Sequence, residues 1–169
     1  MSSDILRGLD FSKIDEPVAT TDLREALVGW LGYQRHEFRR KLRDLTPEML
    51  ASWPIPPVEL SVLGLVRHMT QMEHVYLGWG LGGGERVEHY GDDDYAGGSA
   101  ATVQADLGLY IGEVSRADAA IESLPTLEAP GRGHGMPLGA TLVKMVDEYA
   151  LHSGQAHMLR FAALGEMIR

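Results

Sequence analysis

The chain has 169 residues, of which 44% are hydrophobic and 23% charged, values that suit a globular protein with one buried core. Its formal net charge is −9 with neutral histidines, so it has no electrostatic attraction for phosphate backbones or anionic lipid. Roles in binding nucleic acid or membrane surfaces are therefore disfavoured. The sequence contains no cysteine, which excludes disulfides, thiolate metal ligands and a cysteine nucleophile within the chain.

The N-terminal sequence predicts a cytoplasmic location. It reads MSSDILRGLDFSKIDEP and lacks the basic start and apolar run of a signal peptide. No apolar stretch of the chain approaches the roughly 18 residues that a membrane span requires.

Four long segments have the periodicity of amphipathic helices. The first begins near Thr21, after an N-terminal extension of residues 1–20, and Arg35 and His36 fall on its polar side, where we expect them to be exposed. The second begins at Ser61. The third runs from about 100 to 123 and the fourth from about 137 to 164.

A glycine-rich, acidic loop is predicted over residues 80–98, between the second and third helices. Its "DDD" run at 92–94 lacks the spacing of a calcium-binding loop and is interpreted as a solvated turn. His89 in the same loop is expected to be exposed. No segment alternates convincingly enough to be a strand. The fold class is therefore all-α, a four-helix bundle with long loop connections, formed as a single domain by residues 21–169.

Three polar residues are predicted to point into this bundle from two facing helices. His68 lies on the apolar stripe of the second helix. Glu148 and His152 lie about 40° apart on the fourth helix and can reach one point, and Gln155 lies about 60° from His152 on the same stripe. His157 is about 140° away from His152 and is not expected to join them.

A divalent transition metal would account for the burial of His68, Glu148 and His152 together. Imidazole nitrogen and carboxylate oxygen are suitable ligands, and the charge of the ion offsets the cost of burying them. Three protein ligands leave coordination positions open for water or substrate, which is typical of a catalytic site. Without a metal, the histidines could instead be core residues with hydrogen-bonded rings, and Glu148 could lie at the rim.

The motifs "LSVLGLVRHMTQMEHVYLG" and "MVDEYALHSGQAHMLR" resemble those of the DinB-like superfamily of four-helix metal proteins, over about residues 22–164. That superfamily includes mycothiol-dependent maleylpyruvate isomerase, whose metal-binding domain this chain is similar to, and bacillithiol transferases. The resemblance implies metal ligation by His68, Glu148 and His152, and "HSGQ" at 152–155 matches a motif of other members. Members of the nearest branch often have His at position 155 and an acid at 157, so no metal role is implied for Gln155 or His157.

The resemblance implies a divalent-metal-dependent enzyme, most simply an S-transferase that joins a low-molecular-weight thiol such as mycothiol to small electrophilic molecules. Zinc is the expected ion, with nickel, iron or manganese as alternatives. Gln155 is expected to orient a bound water or substrate. A hydrolase that activates water at the same ion and a non-catalytic ligand-binding bundle remain as alternatives. A homodimer formed through Tyr76 and Trp79 is a further expectation.

Overall fold

The computed structural model describes residue 6 and residues 9–166, and every regular element within them is helical. Helix α1 spans Leu23–Arg40, α2 spans Pro47–Ala51 and α3 spans Val62–Met72. Helix α3 continues through a π-helical segment, Glu73–Gly78, into α4, Trp79–Gly82. Helix α5 spans Val103–Glu122 and α6 spans Leu138–Leu164. The predicted all-α helical bundle is confirmed.

Side-chain caps explain where two of these helices begin. The carboxylate of Asp22 accepts the backbone N–H groups of Arg24 and Glu25 at the start of α1. The hydroxyl of Ser61 accepts the N–H of Gly64 at 2.8 Å at the start of α3. Such caps satisfy amide groups that have no partner inside the helix.

The core lies between α1, α3, α5 and α6 and is built from the predicted apolar stripes. Its largest fully buried aromatic residues are Phe38, Tyr110 and Tyr149. The ring centroid of Phe38 lies 6.2 Å from that of Tyr110 and 5.7 Å from that of Tyr149. Among the described residues, no helix combines the length and the apolar character that crossing a bilayer would require.

The long loop begins three residues later than predicted. Residues 80–82 continue the helix as α4, and the connecting loop comprises residues 83–102. Gly83 and Gly84 have φ angles of 81° and 89°. These angles lie in the left-handed region that glycine adopts without steric cost, and they end the helix.

The connecting loop packs directly against α3. A Cβ atom on Gly64 would lie 1.9 Å from the carbonyl oxygen of Tyr95, so only glycine permits this close approach. Arg67, one turn later, donates from Nη2 to the carbonyl of Asp93 at 2.8 Å and from Nε to that of Asp94 at 3.0 Å. Its guanidinium lies 4.1 Å from the centroid of the Tyr90 ring. The middle of the loop is thereby held on the helix.

The expected exposure of Arg35 and His36 is wrong. Arg35 is 5% exposed and forms a bidentate pair with Glu73, at 2.7 Å from Nε to Oε1 and 2.6 Å from Nη2 to Oε2. Tyr149 donates to the same carboxylate at 2.5 Å. His36 is also 5% exposed, and its Nε2 lies 2.6 Å from the carbonyl oxygen of Ser12 in the N-terminal segment. Helical periodicity cannot anticipate such partners from other parts of the chain.

The N-terminal segment contributes to the same packing. Leu9 and Phe11 are half-buried against the core, and Pro17 lies beside Gly29 of α1. The proposed boundary between an extension and a single domain at residues 20 and 21 stays a prediction. Residues 1–5, 7 and 8 of the predicted extension and residues 167–169 of the predicted domain lie outside the described residues.

Candidate metal centre

Helices α3 and α6 bring His68, Glu148 and His152 together, and we call these residues the candidate metal triad. One potential ligand atom from each residue lies within 4.8 Å of the others. The Oε2 atom of Glu148 is 3.2 Å from Nε2 of His152 and 3.7 Å from Nε2 of His68. Two ligands at about 2.1 Å from one tetrahedral ion would be about 3.4 Å apart, so these separations suit a shared ion.

Neighbouring acceptors set the orientation of both imidazole rings. Nδ1 of His68 lies 2.8 Å from Oδ2 of Asp94, and Nδ1 of His152 lies 2.7 Å from Oε1 of Gln155. The carboxylate of Asp94 favours a proton on Nδ1 of His68, which leaves a lone pair on its Nε2 atom. Gln155 favours the same tautomer of His152, whose Nε2 lies within hydrogen-bond distance of Oε2 of Glu148, at 3.2 Å, so that a cation between these two atoms would replace this contact. This is the arrangement by which outer groups commonly orient metal-bound histidines.

Three acceptor atoms therefore converge on one small volume. The Nε2 atom of His68 is buried and has no hydrogen-bond partner among the described residues. A buried acceptor of this kind costs free energy unless a donor or a cation faces it. The two nitrogen lone pairs and the carboxylate oxygen of Glu148 fit a divalent transition metal, for which imidazole and carboxylate are common ligands.

Lys144 holds the other carboxylate oxygen of Glu148. Its Nζ donates to Oε1, one helical turn before the glutamate, and leaves Oε2 facing the two histidines. Burial acts to raise the pKa of Glu148, but the hydrogen bond and charge of Lys144, together with His152 and His68, outweigh it and hold that pKa below its ordinary value. Glu148 is thus a carboxylate at neutral pH, as ligation requires.

Tyr95 of the connecting loop covers one side of the triad. Its ring stacks on His68 with centroids 4.3 Å apart and planes inclined by 17°. Burial, with the nearby charges of Asp94 and Glu148, raises the pKa of Tyr95 to about 12, so it remains a neutral phenol at physiological pH. The side chains of the triad are 6–14% exposed, which leaves a narrow approach from solvent.

The sequence predicts that His68, Glu148 and His152 lie together, and the structure places them together. Their role as metal ligands stays a prediction. The predicted role of Gln155 in orienting water or substrate stays a prediction, and its Oε1 lies 2.7 Å from Nδ1 of His152. The interpretation of residues 92–94 as a solvated turn is wrong for Asp94, because that carboxylate binds His68. An acidic run in a glycine-rich loop was the only signal for it. The run does not indicate which acid turns inward.

A second group of potential ligands, His74, His89 and Glu113, lies nearby, and we call it the second cluster. One potential ligand atom from each lies within 4.8 Å of the others. The side chain of His89 is only 11% exposed and its Nε2 lies 3.0 Å from Oε1 of Glu113, so the expected exposure of this histidine is wrong. The loop turns back onto the helices here, which no local pattern indicated.

Tyr76 and Trp79, the residues expected at a homodimer interface, lie beside the connector before α6. Both rings are half-buried and both pack near His134, at centroid distances of 6.4 Å and 6.3 Å. The homodimer stays a prediction.

Comparison with known proteins identifies one family. The sequence model of the mycothiol-S-transferase family matches residues 26–165, a range that contains the whole triad, the connecting loop and Gln155. No curated protein matches the chain. The match confirms the DinB-like resemblance drawn from the motifs on α3 and α6.

Proposed function

The chain belongs to the mycothiol-S-transferase family, and we propose that it is a divalent-metal-dependent transferase that joins the sulfur of mycothiol to a small electrophilic molecule. One observation carries the metal dependence: three acceptor atoms converge with no donor facing the buried Nε2 of His68 among the described residues. Because the chain contains no cysteine, the thiol has to come from a cofactor.

His68, Glu148 and His152 would hold the ion, with zinc as the expected metal and nickel, iron or manganese as alternatives. When bound, a divalent cation lowers the pKa of a coordinated thiol, so that the nucleophilic thiolate is present near neutral pH. The protein supplies the orientation of the ligands.

Asp94 and Gln155 perform that orientation by accepting the Nδ1 protons of the two histidines, which directs both Nε2 lone pairs at one point. Lys144 restrains one oxygen of Glu148 so that the other faces the histidines. Tyr95 lies over His68 and restricts the access of water to that side. The tasks of these residues are to position ligands and to limit hydration.

Elemental analysis and activity assays test the proposal together. We expect about one zinc per chain in the purified wild type, and a loss of both zinc and thiol transfer in His68→Ala. His157→Ala is the matched control, because His157 lies on α6 but outside the triad, where its ring packs edge-on against Phe161. The assay supplies mycothiol and a chromogenic aryl halide, and omits each in turn.

The alternatives give different results in the same experiment. A hydrolase would turn over an activated ester without any thiol, and its activity would still depend on the triad. A non-catalytic ligand-binding bundle would contain no stoichiometric ion, and its melting temperature would not respond to a chelator. Either result would contradict the proposed transferase.

A further inference from the structure

The second cluster is built differently from the triad, although its residue types are the same. Nδ1 of His74 lies 3.2 Å from Oε2 of Glu113, and Nε2 of His74 accepts the backbone N–H of Val87 at 2.8 Å. A neutral imidazole has one N–H and one lone pair, so the Val87 bond requires that the proton be on Nδ1. His74 then has no lone pair available for a metal.

The other members of the second cluster are also engaged. Glu113 is fully buried, and its Oε1 atom accepts from Nε2 of His89 at 3.0 Å and from Arg116. The carboxylate therefore has a donor at each oxygen. Whereas the triad presents an unpartnered acceptor to a shared point, the second cluster is a set of matched donors and acceptors. Hydrogen bonds, and not the binding of a metal ion, account for the burial of the second cluster.

These bonds hold the start of the connecting loop on the same helical surface that carries the triad residue His68. Gln71, between His68 and His74, accepts the N–H of His89 at 2.9 Å and donates to the carbonyl of Val87 at 3.2 Å. The loop then runs back along α3, toward the helix start, to the bonds of Arg67 and to Asp94 against His68. The second cluster and the triad are thus joined through one loop.

We propose that His74 and Glu113 are positioning residues for the metal centre, which hold the connecting loop in place while His74 is neutral and release its start when His74 is protonated. Because Nδ1 already carries a proton, an added proton must bind Nε2, the atom that accepts from Val87. Two N–H groups would then face each other, and the Val87 bond is lost. Its loss loosens the segment that delivers Asp94 to His68.

The charged groups around His74 are few. Glu113 faces it from α5 with Arg116 on the same carboxylate, His89 faces it from the loop, and Glu85 lies in the same cavity of about 330 Å³. Burial lowers the pKa of His89, which the carboxylate of Glu113 only partly opposes, and the positive partners lower it further. His89 is therefore less readily protonated than a free histidine.

Amide hydrogen exchange of the metal-free protein at about pH 7.5 and about pH 5 tests the inference, since this range spans the titration of histidine. After correction for intrinsic rates, we expect exchange in residues 83–95 of the wild type to rise by up to about tenfold at the lower pH, which is the change in a local opening equilibrium that the loss of one hydrogen bond would produce. We expect exchange in α6 to stay unchanged. His74→Gln should abolish the rise, because its amide offers one donor and one acceptor without titrating.

His134→Gln is the matched control. His134 also accepts with one nitrogen, from the N–H of Met136, while its Nε2 lies 2.9 Å from the carbonyl of Tyr76, but it contacts a different connector. We expect this variant to keep the wild-type response of residues 83–95. A wild-type loop whose exchange is the same at both pH values would overturn the inference even if His74→Gln failed to fold.

The affinity and stoichiometry of zinc binding provide a second test of the inference. The effect on the metal centre rests on the proposed function, but the exchange experiment uses metal-free protein, so failure of the transferase proposal would not affect it. If zinc binds, we expect its affinity to fall more between the two pH values in the wild type than in His74→Gln. A second bound zinc that disappears in His74→Gln would instead make the second cluster a metal site and contradict the inference.

Discussion

Replacing Gly64 with alanine should displace the connecting loop without disturbing the helical core. The new Cβ would lie 1.9 Å from the carbonyl oxygen of Tyr95, whereas a carbon–oxygen contact needs about 3.3 Å. The loop must therefore move by about 1.4 Å. That movement breaks the bonds of Arg67 to two loop carbonyls, now 2.8 Å and 3.0 Å long, and the 2.8 Å contact between Asp94 and His68.

The two hydrogen bonds of Arg67 set the size of the expected loss in the free energy of loop docking. Hydrogen bonds to a charged group contribute about 1.5–3 kcal/mol each, so the two bonds of Arg67 account for about 3–6 kcal/mol of loop docking. Alanine recovers about 1 kcal/mol through its higher helix propensity. The net loss is about 2–5 kcal/mol, confined to the loop. With Asp94 removed from His68, zinc affinity should fall about 10–100-fold, as for other outer groups that orient metal ligands.

Competition with a chromophoric chelator measures the zinc affinity, and urea unfolding measures the stability of the core. Gly108→Ala is the matched control, because Gly108 lies within α5 and an added Cβ would meet nothing within 4 Å. We expect this variant to bind zinc normally and to be up to about 1 kcal/mol more stable. Zinc binding by Gly64→Ala as tight as that by Gly108→Ala, together with equal protection of its connecting loop from amide exchange, would contradict the predicted displacement of the loop.

Three further outcomes can be measured independently. A chelator should lower the melting temperature of the zinc-loaded wild type, since a ligand that binds only the folded state stabilises it, and should leave that of His152→Ala unchanged. Glu73→Gln should reduce the free energy of unfolding in urea by up to about 3–5 kcal/mol, because it removes the charge that pairs with Nε and Nη2 of the buried Arg35 and leaves the guanidinium only the exposed carboxylate of Asp118, 2.6 Å from Nη1. A loss below about 1 kcal/mol would show that the pair is not effectively buried. Burial raises the pKa of Glu37, but bonds from two basic neighbours outweigh this and leave it below its ordinary value of 4.5. A carboxylate whose pKa is lower in the folded than in the unfolded state stabilises the protein at a pH above its unfolded-state pKa, and this contribution is lost as the pH falls through its folded-state pKa. In acid titrations of metal-free protein, the wild type should therefore lose stability faster than Glu37→Gln below about pH 4.5.

The sequence predicted the burial of some polar residues and not of others. His68, Glu148 and His152 were grouped from their angular positions, because each lies on a helix face that carries apolar residues and the helical repeat is regular. The same angular positions predict that Arg35 faces solvent. A charged residue beside an apolar stripe is exposed by default, and the carboxylates of Glu73 and Asp118, 38 and 83 residues away, reverse that expectation.

Asp94 and the second cluster could not be predicted for a different reason. They depend on the path of a 20-residue loop, residues 83–102, which has no periodicity of its own. Its path is set by contacts with α3 that require a glycine at position 64 and an arginine one turn later. Neither residue is unusual in a helix, so neither indicates in the sequence that a loop will pack there.

The sequence by itself determined the helices, the apolar faces that pack together and the two helices that carry the triad, because these depend on local propensity and on a fixed angular repeat. Only the tertiary structure decided which groups face the ring nitrogens of each histidine, which carboxylate lies against His68 and which charges are buried. Those outcomes depend on groups far apart along the chain, such as His68 and Asp94 at a separation of 26 residues, and a distant partner is brought into contact only by the completed packing.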